Sequence, residues 1–238
     1  MSTLEETAQR PWPLRERSWV FAQTLEDLLF AHYRVPVEQL RPLVPESLEV
    51  EQHSGSAWVS VTAFAVTALR ARGLLPLPSV SSFYQLNVRT YVTHDDKPGV
   101  WFFSLDMSSP VAVEAARRLY RLPCFRADIS LRRRDDELVF DSSRGDGKAF
   151  SAAYRAEGEL HAVEPGSLEH FLTERYCLYA EHGGRLHRGD IHHRPWQLAT
   201  ASARIDLNTM PPVRVTEVDP VVHFSAREDV VIWPLDQV

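Results

Sequence analysis

The stretch that most constrains this chain is Tyr84–Val92, where residue character alternates with a period of two. Leu86, Val88, Thr90 and Val92 fall on one side of an extended strand; Gln85, Asn87, Arg89 and Tyr91 fall on the other, because successive side chains point to opposite faces. The polar, turn-forming run His94–Gly99 follows, and then a second extended segment, Val100–Asp106. Pairing Thr93 with Val100 sets Arg89 opposite Ser104 and Asn87 opposite Asp106, with Arg89 diagonal to Asp106. In that register Leu86, Val88, Trp101, Phe103 and Leu105 form a core face. The reverse face carries Gln85, Asn87, Arg89, Asp106 and the rings of Tyr91 and Phe102. Amides, a guanidinium and aromatic rings together suit the wall of a cavity better than open solvent.

Around this hairpin the chain reads as strands separated by turns. Trp19–Ala22, Leu28–Arg34, Leu48–Val50 and Ala57–Phe64 are expected strands, with a short helix over Pro36–Leu43. On the strand before that helix, Leu28, Phe30, His32 and Arg34 share a face. The segment Arg70–Ser82 holds Gly73, Pro76 and Pro78 and is expected to be irregular. It reads either as a lid or as a surface loop pinned by Leu74, Leu75 and Leu77. Ser109 and Pro110 open a helix whose Ala112, Ala115, Ala116 and Leu119 stripe packs on a sheet. Phe125–Leu131 with Leu138–Phe140 makes a second hairpin. A strand over Phe150–Leu160, a helix over Leu168–Thr173 capped by Ser167, and further strands from Tyr176 to Trp233 complete the chain. Many strands, few short helices and no βαβ rhythm predict a mainly β (α+β) fold, an antiparallel barrel formed by residues 1–238 as a single domain.

Composition narrows the function classes. The net charge of −6 gives no basis for nucleic-acid binding, and the Arg132–Arg134 run is followed at once by Asp135, Asp136 and Glu137, as at a solvated hairpin tip. Two cysteines are too few for a disulfide framework. Residues 1–6 lack the apolar core of a signal peptide, and no apolar run approaches bilayer length. A cytoplasmic location is therefore expected, with neither nucleic acid nor membrane as partner. Of the basic residues only Lys97 and Lys148 are lysines, so a mechanism needing an amine nucleophile has two side chains to draw on.

Other chemistries find little purchase. His192 and His193 are adjacent and would face opposite ways on a strand, so with His187 they suit structural roles better than one metal. No Gly-x-Ser-x-Gly elbow, phosphate-binding glycine loop or His-Glu-x-x-His motif is present. Cys124, after Pro123, reads as a small buried residue unless a nearby cation lowers its pKa. Arg175 either reaches the cavity or pairs with Glu174 or Asp190. Arg89 is the best anion-binding candidate, since its planar fork matches a carboxylate; the competing reading is a cross-strand pair with Asp106.

Six segments carry a resemblance. Tyr33–Val50 resembles the opening strand–helix–strand of the acetoacetate decarboxylases, and Ala116–Phe125 resembles their Gly-Arg-Glu-Leu…Pro-Lys-Lys segment. Asn87–Val92, Pro98–Asp106, Thr173–Tyr179 and Ile191–Trp196 are similar to a YqjF-like branch of that superfamily, a domain of unknown function. The resemblance spans nearly the whole chain and implies the decarboxylase-like β-barrel with an internal cavity. The departures are chemical. The lysine that forms a Schiff base in the decarboxylases stands directly after the proline, where this chain has Cys124 and then Phe125. Their cavity glutamate falls at Gln85, and their substrate-steering arginine falls near Glu26. The resemblance therefore implies the barrel without decarboxylation.

The resulting expectation is a cavity that binds a small, anionic organic metabolite, lined by Gln85, Asn87, Arg89, Tyr91, Asp106, Cys124 and His32. No metal and no cofactor is expected. The alternative is an enzyme using Tyr91, His32 or Asp106 as acid–base groups on a carboxylate or keto substrate held by Arg89. A homo-oligomer is compatible with either.

Overall fold

The computed structural model describes residues 3–77, 80–215 and 220–238; of the expected loop Arg70–Ser82, Pro78 and Ser79 lie outside the described residues, as do Met1 and Ser2 of the N-terminal reading. The strands are β1 Phe21–Val35, β2 Glu49–Val50, β3 Ala57–Ala71, β4 Phe83–His94, β5 Lys97–Met107, β6 Cys124–Arg126, β7 Asp128–Arg134, β8 Glu137–Ser143, β9 Ala149–Ala162, β10 Cys177–His182, β11 Arg185–His192, β12 Gln197–Asn208 and β13 Val221–Gln237. Among the described residues three α-helices interrupt them: α1 Val37–Leu40, α2 Pro110–Tyr120 and α3 Leu168–Thr173. Among the described residues no helix is long and apolar enough to cross a membrane.

Seven strands close on themselves in the order β1-β3-β4-β5-β10-β11-β13, with β13 returning to β1. All of these pairs are antiparallel except β5 with β10, which run parallel. From β13 the sheet continues as β12-β9-β8-β7. This second layer covers one outer wall of the barrel. The strand alternation thus serves two cores at once. Outward residues Leu29, Val61, Leu86 and Val88 pack with Phe140, Phe150 and Tyr154 of the second layer. Inward residues Phe30, Trp58, Phe64, Phe102 and Val230 pack with one another and with Ala112, Val113 and Leu172 of the helices.

The two helices expected from their caps are present. Ser109 Oγ accepts from Ala112 N at 3.3 Å, and Ser167 Oγ accepts from His170 N at 3.1 Å, each satisfying a donor the first helical turn leaves open.

The central hairpin departs from its expected register. Asp95 and Asp96 both take positive φ, 48° and 55°, the conformation of a two-residue hairpin turn. The strands therefore close at His94↔Lys97, and Tyr91 pairs with Val100. Further down, Arg89 pairs with Phe102 but Val88 pairs with Ser104, leaving Phe103 without a partner. That one-residue bulge reverses the alternation of β5 beyond it. Leu105 and Met107 consequently join the barrel interior, whereas Asp106 turns to the opposite side. The leucines expected to pin the 70–82 segment are instead exposed: Leu74, Leu75 and Leu77 show 65%, 85% and 64% of their surface.

Candidate functional site

Inside the barrel a cavity of about 210 Å³ runs between the strands and α2. Its walls are mostly apolar: Phe21, Leu25, Phe64, Phe83, Phe102 and Val230 from the strands, and the stripe Ala112, Ala115, Ala116 and Leu119 from α2. The small residues let the helix lie close to the sheet while leaving volume beneath it.

The polar groups come chiefly from two places. Gln85, Asn87 and Arg89 occupy successive inward positions of β4, a span of about 13 Å at 3.3 Å per residue. Thr173 and Arg175, where the chain leaves α3, and His193 after β11 supply others, and Gln23 of β1 adds one more. Arg89 donates from Nη2 to Leu172 O at 3.3 Å, and its Nε is buried with no hydrogen-bond partner. Its guanidinium carbon sits 5.8 Å from the ring centres of both Phe30 and Tyr91. Among the described residues no carboxylate lies within ion-pair distance of Arg89. Arg175 differs: it pairs with Glu51, donates from Nε to Phe171 O at 2.8 Å, and packs 4.6 Å over the Phe171 ring. Asn87 Oδ1 is also buried and without a donor. The cavity thus has one fixed cation lacking a counter-charge and one amide oxygen lacking a donor.

His193 is held between backbone carbonyls, Nδ1 2.7 Å from Arg194 O and Nε2 3.3 Å from Arg175 O, and stacks on Tyr176 at 4.7 Å. Burial lowers its pKa, against the pull of Glu174. Glu174 itself accepts from Trp196 N at 2.8 Å and from the Tyr176 hydroxyl.

The remaining expected site residues are not on the cavity wall. Tyr91 lies one inward position beyond Arg89, fully buried, its hydroxyl donating to Leu172 O at 2.9 Å and meeting His32 Nδ1 at 3.2 Å. His32 is buried behind it, and burial, His223 and Arg89 together hold its pKa well below the usual imidazole value. Asp106 is a correction: the Phe103 bulge sends it to the other face, where it pairs with Arg144 at 3.2 Å. Burial raises its pKa to about 6, with Arg144 opposing. The expected Arg89–Asp106 pair is therefore absent. Cys124 is buried in the interior core beside Leu105, and desolvation pushes its thiol up to about 12, the state of an inert structural cysteine. Phe125 stacks under the Arg144 guanidinium at 4.0 Å.

Known proteins share this architecture. A family model, DUF2071, described as an uncharacterized conserved protein (COG2071), matches residues 22–229. The chain belongs to the DUF2071 family. It is 43% identical over 222 residues to the uncharacterized protein YqjF of Bacillus subtilis (strain 168), covering 91% of this chain and 92% of that one. Among solved structures it superposes on an acetoacetate decarboxylase-like enzyme from Sphingomonas wittichii RW1 with a TM-score of 0.67 at 14% identity, over 93% of this chain and 94% of that one. An acetoacetate decarboxylase gives 0.66 at 16%, over 99% and 96%. These likenesses show that the DUF2071 chain has the acetoacetate decarboxylase-like fold.

Within that fold the DUF2071 chain places its two lysines away from the cavity wall. Lys97 starts β5 at the hairpin turn, and Lys148 Nζ donates to Thr209 O at 2.5 Å. Three cavity residues carried no sequence signal strong enough to select them. Thr173 ends a helix, His193 belongs to an apparent histidine cluster, and Gln23 sits in an otherwise unremarkable strand; only closure of the barrel brings them to β4.

Proposed function

We propose that the barrel cavity binds a small organic acid with an apolar body, its carboxylate held by Arg89 and its chain lying beneath the alanine stripe of α2. The observation that carries this reading is the unneutralised guanidinium at the polar end of an otherwise apolar cavity. Arg89 has no carboxylate partner among the described residues, so a carboxylate that docks there gains charge-assisted hydrogen bonds. The free Asn87 oxygen would accept from a ligand hydroxyl or amine.

Schiff-base decarboxylation is not part of this reading. The position resembling the decarboxylase lysine is Cys124, a thiol that forms no imine, and Lys97 and Lys148 stand off the cavity wall. An acid–base enzyme has weaker support, because Asp106 faces away and Tyr91 and His32 are spent on each other and on Leu172 O. The same proposal takes the chain as one cytoplasmic domain acting on a metabolite rather than on nucleic acid or membrane. The net charge of −6 and the two free cysteines, Cys124 and Cys177, support that.

Calorimetric titration with octanoate and with octan-1-ol tests the claim. Octanoate should bind the unmodified protein more tightly than the alcohol. Arg89→Gln should weaken octanoate by roughly ten- to a hundredfold, the worth of charged hydrogen bonds, and leave the alcohol unchanged. Equal affinities for acid and alcohol would contradict it.

A further inference from the structure

Behind the cavity's cationic end lies a second cluster that ligand contact does not use. On β1 and β13, His32 and His223 present their rings 5.6 Å apart at 56°, and both side chains are buried. Their neighbours determine which ring nitrogens carry hydrogen. The Tyr91 hydroxyl has one proton and gives it to Leu172 O at 2.9 Å, since a carbonyl can only accept. Toward His32 Nδ1, 3.2 Å away, Tyr91 is therefore an acceptor, and the proton belongs to His32 Nδ1. On the other ring, His223 Nε2 lies 3.3 Å from Glu169 Oε1, and a carboxylate also only accepts, so that nitrogen carries hydrogen too. What remains is one lone pair on each ring, His32 Nε2 and His223 Nδ1. These two atoms are both buried and both without a partner.

Two orphaned lone pairs on neighbouring rings are costly in a low-dielectric interior, and a proton added at His223 Nδ1 makes an imidazolium that Glu169 already faces at Nε2, 3.3 Å away. We propose that His32 and His223 form a proton-binding site linked to the cavity, which takes up one proton when a carboxylate binds at Arg89. This rests on the cavity reading above. The charged groups around the pair set its sense. The His223 ring and Arg89 on β4 both oppose a proton on His32. Glu169 on α3 favours a proton on His223, while His161 on β9, 2.9 Å from the other Glu169 oxygen, opposes it. Arg175, after α3, lies over the Tyr91 ring at 5.1 Å and is already paired with Glu51. Desolvation holds both imidazoles below their ordinary value. A ligand carboxylate cancels the Arg89 charge, so protonation becomes easier and binding tightens as pH falls.

Two measurements test this. In the ligand-free protein, ¹⁵N resonances of the imidazoles at pH 8 should show His32 protonated at Nδ1 and His223 at Nε2. The reverse tautomer on either ring overturns the site whatever the cavity binds. Octanoate titrations at pH 6 and pH 8, in buffers of different ionisation enthalpy, should then show proton uptake at pH 6 and tighter binding there. The ceiling is roughly tenfold per pH unit for one proton. His223→Gln, with melting checked, should abolish both the uptake and the pH dependence while still binding octanoate; Glu169→Gln should reduce both. Octanoate binding without proton uptake overturns the coupling alone. Absence of octanoate binding at either pH overturns it together with the cavity reading, and the tautomer measurement tells these cases apart.

Discussion

Glu228 on β13 is a buried carboxyl that gives up its proton only near neutral pH. Only 3% of it is exposed, and burial raises its pKa to about 7, against the backbone hydrogen bond from Arg194 that favours the charged form. The folded protein keeps this proton, whereas the unfolded chain releases it near 4.5. The group therefore favours the folded state fully below pH 4.5, and that contribution is lost as pH rises to about 7. Glu228→Gln should leave stability at pH 4 nearly unchanged and raise it at pH 8 by roughly 2–3 kcal/mol relative to the parent. Urea unfolding at the two pH values checks this, and an equal effect at both would refute it. Single residues were legible in the sequence only where local alternation decides their face. Gln85, Asn87 and Arg89 reach the cavity because β4 runs straight through them. Asp106 was misplaced because a bulge at Phe103 is a property of two paired backbones, which one strand's sequence does not announce.

Elements with their own chemical punctuation were the most legible. Ser109–Pro110 and Ser167 start α2 and α3 where their caps require, and Pro123 follows the first helix closely. Trp19–Ala22 and Leu28–Arg34, read as two strands, fall in one continuous β1 that starts only at Phe21 and carries a positive φ of 54° at Asp27. The strand contact most sensitive to size is β5 against β10. A Cβ on Gly99 would stand 2.6 Å from Cys177 Sγ, 2.8 Å from its carbonyl oxygen and 2.8 Å from the Tyr179 ring. Two of those neighbours are backbone or a buried ring, so neither can yield cheaply. Gly99→Ala should destabilise by about 1–3 kcal/mol or more, which at this length lowers Tm by about 2–4 °C per kcal/mol. An unchanged melt would show that the β5–β10 approach is looser than described.

At the scale of the molecule, β1 closes the barrel with a partner some two hundred residues away, and β13 joins that barrel to a second layer. Such pairings leave no trace in local periodicity, which is why the fold class was readable while the strand order and the second layer were not. The second layer also explains why both faces of β4 are buried: one looks into the cavity and the other into the larger core. Closure brings Thr173, Arg175 and His193 to the same space as Arg89 and leaves that guanidinium without a carboxylate. The central claim is that this space receives an amphipathic acid head-first toward Arg89. A crystal structure of the protein grown with octanoate tests it most directly. The account predicts density inside the barrel, with carboxylate oxygens about 3 Å from the Arg89 guanidinium nitrogens and the chain under Ala112, Ala115 and Ala116. An empty barrel at saturating octanoate, or a chain lying with its methyl end against Arg89, would contradict it.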